Sequence, residues 1–210
     1  MVRRKEFKVK DEYQQDVIQF INEMNYGVLA MQGKEGFPIV VPLNYVYLND
    51  AIYFHGSKLG EKMEVLTHVD KATFAITEEF ATIPSYLEDS YFACPATTFF
   101  KSVIIYGHIK AVEDERLKHE VLNELMKKLQ PEGGYSPIVY EDESYRKRVK
   151  ATAVIELTID KQSAKFKFGQ NWKEEKHEKV KAHLNERQNE LDIETIKLME
   201  RYCPYHGKQK

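Results

Sequence analysis

The chain is poor in cysteine. It has two in 210 residues, Cys94 and Cys203, too few for a disulfide framework and too far apart to form a metal motif with each other. A reducing compartment is the simplest setting for such a sequence, and the expected location is the cytoplasm. Also absent is any run near the ~18 consecutive apolar residues that a membrane helix needs. The opening MVRRKEFKVKDEY carries charge with no apolar stretch behind it, so no secretory signal is expected there. Neither sign of charge is in excess: 31 Lys and Arg face 33 Asp and Glu, for a formal net charge of −2. Bulk attraction to nucleic acid or an anionic membrane is therefore excluded, and neither is expected as a partner. Internal repeats and low-complexity tracts are missing as well.

What is present is enough apolar material for a core, at 42% of residues. The length fits one domain with appendages. Residues 11–25 read as a helix: Asp11 and Gln14 have capping-box spacing, Val17, Ile18, Ile21 and Met24 share a face, and Gly27 follows. The period then changes to that of strands. Residues 27–32 are short and apolar, and 33–36 form a turn. Residues 37–48 are long and apolar on both faces, which predicts a strand buried on both sides, or on one side in a core and on the other at an interface. Pro38 and Pro42 require this strand to sit at an edge or carry a bulge. Asn49-Asp50 predicts a tight hairpin into a strand over 51–55.

A short helix is expected over 56–68, strands over 71–77, 98–112 and 151–159, and an amphipathic helix over 114–129. Residues 79–97 read as an irregular loop and 135–150 as undecided. Strands thus dominate residues 27–159, with one short and one longer crossover helix, the pattern of a closed antiparallel barrel with helices outside. After Trp172 the chain becomes mostly charged. Two weakly amphipathic helices, over 173–188 and 192–202, predict a helical extension packed on the barrel or on a partner chain, against the alternative of a local nucleic-acid role for this lysine-rich region. The expected organisation is a barrel domain over 1–172 and an extension over 173–210.

The stretch Ile52-Tyr53-Phe54-His55-Gly56-Ser57-Lys58-Leu59-Gly60-Glu61-Lys62 carries the most chemistry. A strand ends, a small-residue turn follows and a helix starts. Helix N-termini present unpaired N–H groups and a positive dipole end, which suit a phosphate. Gly56 allows close approach of an anion, Ser57 offers a hydroxyl, and Lys58 and Lys62 fall on one helical face. On spacing alone this reads equally as an ordinary Ser57 cap with two surface lysines. The spacing is not that of a Walker loop.

Four motifs occur in order: Gly27-Val28-Leu29-Ala30; Gly36-Phe37-Pro38-Ile39-Val40-Val41-Pro42-Leu43-Asn44-Tyr45; the 52–57 strand end with Gly60 and Lys62; and Lys101-Ser102-Val103-Ile104-Ile105-Tyr106-Gly107. This series resembles that of the pyridoxamine 5′-phosphate oxidase-like FMN-binding split barrels, and within them the nitroimidazole-resistance-protein-like branch, over roughly residues 12–172. The resemblance implies a six-stranded split β-barrel with flanking helices, a homodimer with FMN at the subunit interface, and oxidoreductase chemistry from a reduced nicotinamide to a small acceptor such as a nitroaromatic, quinone or flavin. It implies that Lys62, Ser57 and Lys58 hold the FMN phosphate, and that Phe54, His55 and Gly56 line the ribityl chain and ring edge. Val41, Pro42, Leu43 and Asn44 would run beside the isoalloxazine, Lys101 and Ser102 would reach it from the other subunit, and Trp172 would lie near it. Lys101 stands where relatives typically carry arginine, and lysine cannot make the planar bidentate contact.

His55 is the candidate catalytic residue, against the alternative of a hydrogen-bonded pocket histidine. Cys94 reads as an inert thiol, and Cys203 with His206 makes a poor metal site. Vitamin B6 oxidation is not expected, because the chain after Trp172 lacks the arginine- and histidine-rich segment used for substrate phosphate. Two other readings remain: a haem-binding or haem-degrading split barrel, with His55 or His206 as ligand, and a flavin-binding module without turnover.

Overall fold

The computed structural model describes residues 5–33, 36–59, 63–64, 68–203 and 205. Helix α1 (Gln14–Glu23) follows a 3-10 turn at Asp11–Tyr13 and leads into β1 (Tyr26–Gln32). Next come β2 (Pro38–Asn44), β3 (Val46–Leu48), β4 (Ala51–Gly56), β5 (Lys71–Ile83) and β6 (Thr97–Ala111). Helices α2 (Glu115–Leu129) and α3 (Glu143–Ala151), strand β7 (Ala153–Lys167), and helices α4 (Glu174–Arg187) and α5 (Asp192–Arg201) complete the chain.

The strands form one sheet in the order β2-β1-β5-β6-β7-β4-β3. The two edge strands, β2 and β3, are consecutive in the chain and separated only by Tyr45. One continuous segment therefore supplies both edges, and the sheet must curl until those edges meet. Counted as one bent strand, 37–48 makes this the six-stranded split barrel that the sequence predicts. Its prolines sit where the missing N–H groups are tolerated, on an edge strand. The bend is pinned by Tyr45, which is fully buried: its hydroxyl donates to the Ile21 carbonyl at 2.7 Å, and its ring meets Phe74 edge-on at 5.0 Å. At the hairpin, Asn49 and Asp50 both adopt positive φ, 49° and 57°, as a type I′ turn requires.

Two compact units can be distinguished. The first, Gln15–Ile76 with Ile104–Gln162, holds the barrel closure. All of Ala51 to Phe54 is buried here. Ala51 and Tyr53 join Val46, Val121 and Leu125 in a cluster beneath α2, while alternation sends Ile52 and Phe54 to the opposite face. Asp114 caps α2, its carboxylate accepting from the amides of Arg116 (2.8 Å) and Leu117 (3.3 Å). Asp142 caps α3 in the same way through Ser144 and Tyr145, which settles the undecided 135–150 segment.

The second unit comprises Met1–Gln14, Thr77–Val103 and Ser163–Lys210. Its core is aromatic: Phe168 meets Phe80 at 5.2 Å and Phe99 at 5.7 Å, and stacks on Tyr202 at 5.6 Å. Helix α4 buries Val180 and Leu184 completely despite its charge. The turn between α4 and α5 is held by Asp192, whose carboxylate is 1% exposed and accepts from Arg187 at 2.8 and 2.5 Å and from the Asn189 amide at 2.9 Å. Arg187 also donates to the Thr82 carbonyl at 2.9 Å. The guanidinium holds the Asp192 carboxyl below the usual carboxylate range. This pair therefore stabilises the fold at neutral pH, and that contribution is lost as pH falls through the depressed value. Asp192→Ala strands the half-buried Arg187 charge and is expected to cost about 3–5 kcal/mol, read as a drop in urea midpoint.

Two strands are longer than the sequence suggests. β5 continues to Ile83, into the expected 79–97 loop, and β7 continues to Lys167. In both, the buried face changes parity. β5 buries residues 72, 74, 76 and 80, then 81 and 83; β7 buries 153 to 155 and 157, then 164 and 166. Such a slip breaks the period of two that marks a strand in sequence.

Candidate functional site

The residues singled out in sequence fall into two groups. The first collects at the bend between β2 and β3 and at the exit of β4. On β2, Val41, Pro42, Leu43 and Asn44 pair with Leu29, Val28, Gly27 and Tyr26 of β1. Val46 pairs with Tyr53, so Asn44, two residues before, and His55, two residues after, leave the β3–β4 ladder at the same end. The Asn44 amide donates to the Asn25 carbonyl at 2.8 Å. Phe54 is wholly buried, so it can offer a ligand only its backbone. His55 is exposed opposite Val154, and Gly56 is half-buried opposite Ala153. The Ser57 hydroxyl accepts from the Leu59 amide at 3.0 Å, which makes it a local cap, and Lys58 is exposed beside it. Gly60, Glu61 and Lys62 lie outside the described residues, as do 65–67 of the expected 56–68 helix; Met63 and Glu64 are helical, whereas 56–59 are strand end and bend rather than helix.

The second group belongs to the other unit. The Lys101 ammonium lies 5.1 Å over the Phe80 ring and 5.8 Å over Phe166, with half-buried Ser102 next in sequence. Trp172 packs 5.2 Å from Phe99. Exposed His55 and half-buried Lys101 are thus each accessible to solvent.

Sequence reasoning missed a groove of about 700 Å³ on the barrel unit. It is floored by small residues of β1, β5 and β6 (Ala30, Ala72, Thr73, Gly107) and edged by Pro38, Tyr106 and Lys161. The Lys161 ammonium sits 4.8 Å over the Tyr106 ring. The signal was available in Gly27-Val28-Leu29-Ala30, which is small or apolar on both faces. Alongside it, β2 exposes Val40 at 57%, and Phe37 just before it is 79% exposed.

Behind the bend lies an unexpected cation. Lys128 donates to the Met24 carbonyl at 2.6 Å and sits 4.3 Å over the Tyr45 ring. Burial lowers its pKa to about 8. Between that value and the usual 10.5 the folded state holds fewer protons than the unfolded one, so this group makes stability rise with pH across that window. In Lys128→Met the rise is expected to disappear, as seen by comparing denaturant midpoints of the two proteins from pH 8 to 10.5.

The profile of the pyridoxamine 5′-phosphate oxidase family matches residues 14–166, and the chain belongs to that family. Among solved structures, the chain is similar to a flavocytochrome from Azotobacter vinelandii (24% identity, 77% of this chain and 73% of that one, TM-score 0.61). It is also similar to an FAD and heme binding protein from Mycobacterium smegmatis (18% identity, 84% and 80%, TM-score 0.60). A third relative is a candidate 5-nitroimidazole antibiotic resistance protein from Bacteroides thetaiotaomicron (21% identity, 75% and 85%, TM-score 0.58). At these identities the likeness establishes the split-barrel fold. A search of curated proteins returns no match. Among the described residues, no helix is long and apolar enough to cross a membrane.

Proposed function

We propose that this chain binds FMN between two copies of itself and passes electrons from a reduced nicotinamide to a small acceptor such as a nitroaromatic, quinone or free flavin. The observation that carries the reading is the exit of β4. A glycine, a serine whose hydroxyl already orders the turn, and a solvent-facing lysine follow one another at the end of the ladder where Asn44 and His55 also emerge. These groups fit the cofactor: a flat tricycle needs an apolar wall, a few polar groups at one end and a cationic turn for its phosphate. FMN, when bound, supplies electron transfer through its N5 atom.

In this reading Ser57, Lys58 and Lys62 hold the phosphate, and Gly56 and the Phe54 backbone line the ribityl chain. Val41 to Asn44 flank the ring, and His55 stands at its edge as the candidate proton carrier. Lys101, Ser102 and Trp172 come from the second copy, where the Lys101 cation favours the reduced, anionic cofactor. The open apolar surface at Phe37 and Val40 is what a second copy would cover. The cytoplasm remains the proposed location.

One of these relatives is named for heme as well as FAD binding, so the visible spectrum of the purified protein decides first. A flavin band that bleaches on anaerobic mixing with NADH or NADPH is expected. A Soret band without flavin would instead support haem binding. A flavin band that stays oxidised with both nicotinamides would leave a binding module.

A further inference from the structure

The second unit contains a cleft of about 460 Å³ of which the flavin reading uses only Trp172. Three lysines, Lys165, Lys167 and Lys176, line it against one glutamate, Glu88. Lys165 and Lys167 are two apart on β7 and share a face. The Lys165 ammonium lies 5.4 Å from the Phe7 ring and 5.2 Å from Phe100; that of Lys167 is 5.9 Å from Phe100 and donates to the Thr97 hydroxyl. Lys176 pairs with Glu88 and sits 4.3 Å over the ring of Trp172. Three cations against one anion leave the lining with a formal charge of +2, in a chain whose net charge is −2. The cleft is thus a local positive field on an acidic protein.

Its aromatic wall is held in place. Gly169 turns with φ +82°, and a Cβ there would come within 2.7 Å of the Trp172 ring. The Trp172 carbonyl accepts from the Tyr205 hydroxyl at 2.7 Å. A ring fixed from behind is a stacking platform with little entropy left to lose on binding. Ammonium groups ringed by π-faces suit a ligand that is both flat and anionic, since the acid meets the lysines while the plane meets the rings.

We infer that this cleft binds a small planar aromatic acid, carboxylated or phosphorylated. Resting on the flavin reading, with Trp172 shared between the cleft and the second copy's flavin, it also names the acceptor class: aromatic anions rather than neutral quinones.

Trp172 is the chain's only tryptophan, so its fluorescence in the protein as purified reports on this cleft. Titration with 4-nitrobenzoate is expected to quench it saturably. Neutral 4-nitrobenzamide should bind about tenfold or more weakly, the difference one charge-assisted contact makes. Lys165→Met with Lys167→Met keeps the aliphatic stems and should raise the 4-nitrobenzoate dissociation constant by about tenfold or more; Lys165→Met alone should do so by about three- to tenfold. Equal binding of acid and amide, or an unchanged constant in both variants, overturns the site. The flavin band of the same samples is read separately: binding without flavin would sink the oxidoreductase reading alone, and flavin without binding the cleft alone.

Discussion

Gly107→Ala is expected to destabilise the barrel severely. Gly107 lies on β6 against β7, and an added methyl carbon would stand 1.6 Å from the carbonyl oxygen of Thr158 and 2.8 Å from its carbonyl carbon. Both are backbone atoms, so no side-chain rotation relieves the clash and the strands themselves must part. The register is locked beside this point, where the Thr158 hydroxyl donates to the His108 carbonyl at 3.1 Å. Ordinary overpacking costs about 1–3 kcal/mol because neighbours yield. Here yielding breaks ladder hydrogen bonds in the middle of the sheet, and the loss should exceed about 3 kcal/mol, a large part of a domain's stability. Gly36→Ala is the control: its φ of +84° makes alanine strained, yet among the described residues nothing lies within 4 Å, so the cost should stay near 1 kcal/mol. Soluble yield and urea midpoints compare the two. A Gly107→Ala protein with the wild-type midpoint would mean that β6 and β7 do not approach this closely.

The second large effect concerns the proposed phosphate turn. Ser57→Ala with Lys62→Ala removes a hydroxyl and an ammonium from the residues assigned to the FMN phosphate. Each charge-assisted hydrogen bond is worth about 1.5–3 kcal/mol, so losing both should raise the FMN dissociation constant by about 10²- to 10⁴-fold. The variant should fold and then lose its colour on dialysis. The Ser57 hydroxyl also accepts from the Leu59 amide, so Ser57→Ala alone loosens the turn as well. Ser57→Thr restores the acceptor and should recover most of the flavin. Undiminished retention in the double variant would place the phosphate elsewhere.

Much of this was legible before any coordinates. Hairpin chemistry at Asn49-Asp50 and the apolar stripe of α2 are local signals, set by backbone sterics and helical spacing, and they appear where the sequence puts them. The motif series carried the family and, with it, the split barrel. Less legible were the far halves of β5 and β7, because the buried face changes parity and the alternation no longer reads as a strand. The α3 helix was hidden for a different reason: its mean hydropathy is too low to show a stripe, and only the Asp142 cap marks its start.

The candidate site divides in the same way. The β4 exit was visible because strand end, glycine, serine and lysine are adjacent in the chain. Neither the groove floored by Ala30, Thr73 and Gly107 nor the cleft joining Lys165 to Lys176 and Trp172 could be read that way, since their members come from separate strands and turns.

By itself the sequence determined where most strands lie and turn, and that 37–48 must lie at an edge or carry a bulge because of its two prolines. Only the tertiary structure decided that this one segment supplies both edges of the sheet, bending at a buried Tyr45 so that the barrel closes. The reason is physical: periodicity and turn chemistry act over a few residues, whereas closure depends on which distant strands find hydrogen-bond partners.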